Sequence, residues 1–258
     1  LSSANPDIKI VVASHKPYWM PSDPMYIPVQ VGAAGKETIP GFQRDDEGEN
    51  ISDKNPRYSE LTALYWAWKN LDADYIGLAH YRRHFAGKGE RGVLTYEEAK
   101  ELIAKSPVVL PKKRHYVIET VKSHYDHTMD DTHMDILRNI LEDKSPEILP
   151  AFDAHMRSRS AHIWNMVIMR RDILDRWCSW LFPVLEEIES CLNFARMTPF
   201  EMRCIGRISE RLLDPWLSIE KTPVKEIPVF SMEKINWSNK GKSFLSAKFA
   251  NRKYVESF

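Results

Sequence analysis

The sequence predicts an α/β fold: an N-terminal half built on an open sheet, followed by a mostly helical C-terminal half. Three observations carry that expectation. Short apolar runs divided by polar loops recur before residue 115, and one amphipathic helical stretch lies between two of them. Beyond about residue 115, apolar residues recur instead at the 3.6-residue period.

Residues 8–16 (IKIVVASHK) read as a buried first strand ending in a polar loop, and residues 26–34 (YIPVQVGAA) as a second strand closing at small residues. The following stretch, GFQRDDEGENISDKNP, is polar and loop-like. Asn55-Pro56 has the pattern of an N-cap followed by proline at the first helical position. Residues 57–71 (RYSELTALYWAWKNL) then place Leu61, Leu64, Tyr65, Trp68 and Leu71 on one helical face. DADYIGLA returns to a strand, and residues 106–113 (SPVVLPKK) form another short apolar run. Strand, helix, strand is the order of a sheet with right-handed crossovers. HTMDDTHMDILRNILE, MRRDILDRWCSWLFPVLEEIESCL and PFEMRCIGRISERLLDPWL supply helices in the second half, with Pro183 and Pro215 expected to kink or end theirs.

Composition narrows the function. The chain has 258 residues, 43% hydrophobic and 28% charged, as in ordinary globular proteins. Thirty-six basic residues balance thirty-six acidic ones, so no global field collects nucleic acid and any anion site is local. Cys178, Cys191 and Cys204 lack C-x-x-C spacing, which fits three buried small residues in a reducing compartment. No run of about 18 apolar residues offers a membrane span. The chain begins on Leu1, as expected of one trimmed at its start.

The chemistry-bearing residues gather in a few places. In open α/β sheets ligands collect at the carboxyl ends of strands. Both His15-Lys16 and the HYRRH run (His80, Arg82, Arg83, His84) fall just past such ends. Arginine forks match phosphate oxygens two at a time. If the strand continued through HYRRH, alternation would send Arg82 and Arg83 to opposite faces. A zinc site from His80 and His84 is the rival, but i, i+4 spacing suits a metal on a helix. In NISDKNPRYSEL, Asn50, Ser52, Asp53, Asn55 and Glu60 crowd a loop and first helical turn, where capping and ligand binding coexist.

SHYDHTMDDTH holds His124, Asp126, His127, Asp130, Asp131 and His133, to be weighed as a solvated polar face, as acceptor-binding groups or as metal ligands. In ISERLLDPWL, Glu210 and Asp214 lie four apart on one expected helix face. Either could act as a general base, or they could simply pair with Arg207 and Arg211. Asn165 interrupts an apolar run and needs partners, from backbone or ligand. From Lys234 onward, six basic residues against Glu256 alternate with aromatics. That mixture suits an anionic membrane interface as well as it suits a solvated terminus, and fits RNA stacking less well.

Taken together, HK after the first strand, PVQVGAA, NISDKN, SELTALYWAWKN, GLAHYRRHF, NMVIM and ISERLLDPWL resemble a group of bacterial capsular and exopolysaccharide glycosyltransferases. That group was long catalogued only as a domain of unknown function. The resemblance covers roughly residues 8–218 and is most specific over residues 50–85. It implies a GT-A-like fold with a single Rossmann-type nucleotide-binding half. Its donor would be a UDP-hexose, with galactose in pyranose or furanose form favoured. Its acceptor would be a polyprenyl-linked glycan at the inner face of the membrane, with peripheral contact through the tail.

The implied organisation is a transferase domain over residues 1–232, with a donor half to about residue 114, an acceptor half from about 115, and a tail over 233–258. Donor binding would fall to His15, Lys16, Asn50, Ser52, Asn55, Glu60, His80, Arg82 and Arg83, and acceptor binding to His127 and His133. Glu210 is the matching base, with Asp214 its rival and Asn165 facing the sugar if configuration is retained. GT-A enzymes commonly hold a divalent metal with Asp-x-Asp at a strand exit. Here DAD (Asp72–Asp74) precedes the strand, and HYRR stands at its exit. The expectation is therefore a cofactor-free, metal-independent site in which arginines neutralise the diphosphate. A metal-dependent hydrolase and a non-catalytic glycan- or lipid-binding module are the competing classes.

Overall fold

Ile8, Ile10, Val11, Val12 and Ala13 are all buried, so the first strand is covered on both faces, as the centre of a parallel sheet requires. The computed structural model describes residues 5–233. In chain order these form β1 (Ile8–Ser14), β2 (Tyr26–Gln30), β3 (Gln43–Arg44), α1 (Asn55–Tyr58), α2 (Leu61–Asn70), β4 (Tyr75–His80) and β5 (Arg83–Phe85). Next come α3 (Tyr96–Ile103), β6 (Val108–Pro111), β7 (Arg114–His115), α4 (Val121–Asp126), α5 (Thr132–Lys144), α6 (Leu149–Arg157) and β8 (Ser160–Ala161). The chain continues through β9 (Val167–Arg170), α7 (Arg171–Cys191), α8 (Cys204–Ser209), α9 (Leu213–Glu220), β10 (Val224–Ile227) and β11 (Val229–Ser231).

The sheet order is β10-β6-β9-β4-β1-β2-β3. β1 runs parallel to β2 and β4, pairing Ile10 with Tyr26 and Ile8 with Tyr75. β9 is antiparallel to both β4 and β6. β5 turns back on β4 and takes β11 on its other side, while β7 and β8 form a separate small ribbon. The C-terminal half is helix-rich, as expected, and also returns β9, β10 and β11 to the main sheet.

Alternation along β1 divides the core. Val11 and Ala13 face the larger apolar layer, which contains α2, α5, α7, α8 and α9 side chains; Ile8, Ile10 and Val12 face a smaller layer with Phe85, Ala99 and Ile103.

Three local expectations change. The helix over 57–71 is two helices, α1 and α2, broken at Ser59, which has φ 54°. Because the sheet and α7 both pack on it, α2 buries Thr62, Ala63, Trp66 and Ala67 together with Leu61 and Leu64 of the expected stripe, while Tyr65, Trp68 and Leu71 are only half-buried. α7 runs unbroken through Pro183, which is exposed together with Ser179 one turn earlier, so solvent can satisfy the carbonyl that loses its partner. Pro215 sits in the first turn of α9, where a missing N–H leaves no bond unmade. Cys178 and Cys204 are buried and Cys191 is exposed; all three are free. No helix among the described residues is long and apolar enough to cross a membrane.

Candidate active site

β1 and β4 are parallel, so both end at the same edge of the sheet, where Ser14, His15, His80 and Tyr81 meet a cavity of about 440 Å³. β4 does not continue through HYRRH. His80 pairs with Arg83 across a two-residue turn made by Tyr81 and Arg82. The hairpin therefore sends both arginines into one cavity, which straight strand alternation would have prevented. His84 follows into the core at 0% exposure, against Trp19 and Tyr26, so it shares no ligand with His80.

The facing wall comes from two other places. The α1–α2 break brings Asn55, Ser59 and Glu60 to the cavity, and the segment around α8 brings Arg203, Arg207, Glu210 and Arg211. Arg203, Arg207 and Arg211 recur every four residues, so a helical path lays them on one side. Arg114, Tyr116, His124 and Trp164 complete the lining. Six arginines thus meet two carboxylates, Glu60 and Glu210, in a chain with no net charge.

Hydrogen bonds fix the carboxylates. Glu210 Oε1 accepts the Trp164 backbone N–H at 3.0 Å and Oε2 accepts Arg211 at 2.5 Å. Glu60 accepts the Asn165 amide at 2.7 Å. Asn165 also donates to the Gly206 carbonyl at 2.9 Å and accepts from Ser209 Oγ at 2.6 Å, tying Glu60 to α8. Trp164 and Asn165 both have positive φ, 75° and 55°. Such strained non-glycine residues concentrate at functional sites; Trp164 and Ser59 both line this cavity, and Asn165 lies next to Trp164 in the chain.

The two histidines at the strand ends differ from a simple cationic reading. Burial, followed by Lys16 and Arg82, lowers the pKa of His15. Burial likewise lowers that of His80, whose Nε2 lies 2.5 Å from the Trp164 carbonyl as a neutral donor. The positive charge of the site therefore resides on guanidinium groups. The Arg83 guanidinium packs over the Trp164 ring at 5.2 Å. Burial, then the neighbouring Arg82, depresses its pKa, a repulsion that a bound anion would relieve.

Other sequence candidates lie elsewhere. Lys16 projects over the rings of Tyr18 and Tyr81 rather than into the cavity. Asn50 and Ser52 brace a loop: Asn50 donates to the carbonyls of Asp46 and Gly48, and Ser52 donates to the buried Asp45 carboxylate. Asn55 lines the cavity but caps nothing; its amide donates to the Ser59 carbonyl and to Thr62.

Asp214 shares no helix face with Glu210, because α8 ends at Ser209 and α9 begins at Leu213. It is outside the cavity lining and bound to His162 and Lys113. His127 holds the buried Glu119, and His133 shares a hydrogen bond with Tyr125; neither lines the cavity, whereas His124 of the same motif does. Asp72–Asp74 occupy the opposite, entry end of β4, beside Asp7 and Arg170. Among the described residues, no group of three or more His, Cys, Asp or Glu is placed to hold a metal ion. The tail from residue 234 lies outside the described residues.

Sequence reasoning missed Arg114, Tyr116 and Arg203 as lining groups, weighed His124 only within its motif, and weighed Arg207 and Arg211 only as ion-pair partners. The four-residue recurrence of arginine in RCIGRISER was the available signal.

A mixed sheet with a cation-lined cavity at the carboxyl edge of its parallel strands is an architecture suited to holding an anionic ligand. The chain is similar in structure, with a TM-score of 0.80 and 28% identity, to the apo structure of WbbM, a bifunctional glycosyltransferase. That match covers 88% of this chain and 45% of the other, so the chain spans less than half the length of that protein. It belongs to the family described as Domain of unknown function (DUF4422), whose model matches residues 9–221. No curated protein matches it.

Proposed function

We propose that this chain is a glycosyltransferase that moves a hexose from a UDP-sugar, galactose in pyranose or furanose form, to a lipid-linked glycan acceptor in surface-polysaccharide synthesis. The observation that carries this reading is the meeting of six arginines with Glu210 at the carboxyl edge of a glycosyltransferase-like sheet. Arg82 and Arg83 neutralise the diphosphate as the bond from the sugar's anomeric carbon breaks and its electron pair passes to the phosphate oxygen. The acceptor oxygen bonds to that carbon, and its proton goes to Glu210. Asn165, with every polar atom engaged, acts by holding Glu60 rather than by touching the sugar.

The arginines stand in for a divalent cation in this scheme. In support, the Asp-x-Asp run lies at the far end of β4, and both cavity carboxylates are already committed to protein donors. The donor half extends to about residue 114 and the acceptor half follows it. The basic-aromatic tail fits peripheral contact with the inner membrane face on composition alone.

A thermal-shift screen against nucleotide sugars tests the donor class, since a ligand that binds only the native state raises its melting temperature. UDP-galactose should stabilise the protein and GDP- or CMP-sugars should not. Equal stabilisation by all three would remove the uridine assignment.

A further inference from the structure

The cavity holds more cations than one donor requires. Six arginines against Glu60, Glu210 and Glu233, which pairs with Arg82 at 3.3 Å, leave a surplus of three positive charges. A nucleotide sugar's diphosphate brings about two negative charges at neutral pH.

The surplus is not spread evenly. Arg82 and Arg83 stand on the β4–β5 hairpin, while Arg203, Arg207 and Arg211 stand on the α8 segment. Glu210 connects the two groups. One of its oxygens accepts the backbone N–H of Trp164, whose ring lies under Arg83, and the other accepts Arg211.

The α8 guanidinium groups have donors to spare. Arg211 is 5% exposed, and its Nε has no partner. The Nε of Arg207 is equally buried and unpartnered, and its guanidinium packs only over the Phe200 ring, at 4.7 Å. Arg203 makes one long bond, 3.3 Å, to Ser59 Oγ. A buried charged donor left unmade is expensive, so the protein alone under-satisfies these guanidinium groups, which line the cavity. Burial lowers the pKa of Arg207, and Arg203 and Arg211 add to that against the opposing pull of Glu210.

We infer that the cavity binds two anions at once: the leaving diphosphate at the hairpin arginines, and a phosphate carried by the acceptor at Arg203, Arg207 and Arg211. The inference rests on the transferase reading for the identity of the first anion. It places Glu210 between the two phosphates, where an acceptor hydroxyl has to lie to meet the donor sugar. A substrate that carries phosphate near its reacting sugar is thereby favoured over a neutral glycan.

Equilibrium dialysis of the full chain with labelled inorganic pyrophosphate tests this directly. Two equivalents should bind per chain, and saturating UDP should displace one and leave one. Arg207→Ala should weaken the UDP-resistant equivalent about tenfold or more while changing UDP affinity little, and Arg83→Ala should do the reverse. Arg203→Ala, at an exposed position, is the second variant should Arg207→Ala fold poorly. A single equivalent, displacement of all pyrophosphate by UDP, or equal effects of the hairpin and α8 variants on both anions would overturn the inference. Two equivalents that UDP cannot displace would instead overturn the donor assignment and leave the two-anion cavity standing.

Discussion

Glu210 shows how one side chain is made ready for a single task. Its two oxygens accept Arg211 and the Trp164 backbone N–H, which fix its rotamer, so the remaining lone pairs face the cavity. Glu210→Gln keeps the size and loses the proton acceptor. Transfer should fall by about 10²–10⁴-fold with UDP affinity nearly unchanged; transfer within a few-fold of the parent, measured by UDP release, would remove the base role. At this scale the sequence was informative where composition was unusual for its surroundings, as at Arg82, Arg83 and Glu60. It misled at Asp214, because an i, i+4 relation holds only within one helix and the chain turns between Ser209 and Leu213. It was also silent on Arg114 and Tyr116, which reach the cavity from a segment with no local sign of belonging there.

The β4–β5 hairpin is the element that makes the site, and its position depends on β9 lying close against β4. Gly77 permits that approach: a Cβ there would stand 2.9 Å from the Val167 carbonyl oxygen and 3.0 Å from Ile168 Cγ1. Gly77→Ala should cost about 1–3 kcal/mol of stability, read from the urea midpoint; an unchanged midpoint would show that β9 yields freely. The central strands were legible because β1, β4 and β6 are buried runs of apolar residues. β9 was not, since NMVIMRR runs directly into α7 and the strand's last two residues, Met169 and Arg170, read as the start of that helix. The break at Ser59 carries no glycine to announce it, and is held instead by the Asn55 side chain, which donates to the Ser59 carbonyl.

Across the whole molecule, charge is balanced overall and concentrated locally, and the buried histidines set the acid limit. Burial pushes His84 and His155 down to about 4, while an unfolded histidine titrates near about 6.5. Between those values the unfolded chain binds more protons, so stability should fall as pH drops from about 6.5 to about 4. Asp214 adds to this at lower pH: burial raises its pKa, but His162, His155 and Lys113 outweigh burial and hold it below the ordinary range. Its contribution, present above the unfolded carboxylate value, is lost as pH falls below about 4. Urea midpoints at pH 7 and 5 should differ in wild type, and the difference should shrink in His84→Leu; an equal difference would acquit His84. The most direct test of the central claim is calorimetry of UDP binding in the presence of EDTA, for wild type and for Arg82→Ala/Arg83→Ala. Guanidinium neutralisation predicts full affinity for wild type under chelation and a loss of about a hundredfold or more in the double variant. Binding that vanishes with EDTA and returns with manganese, or that survives loss of both arginines, would contradict it.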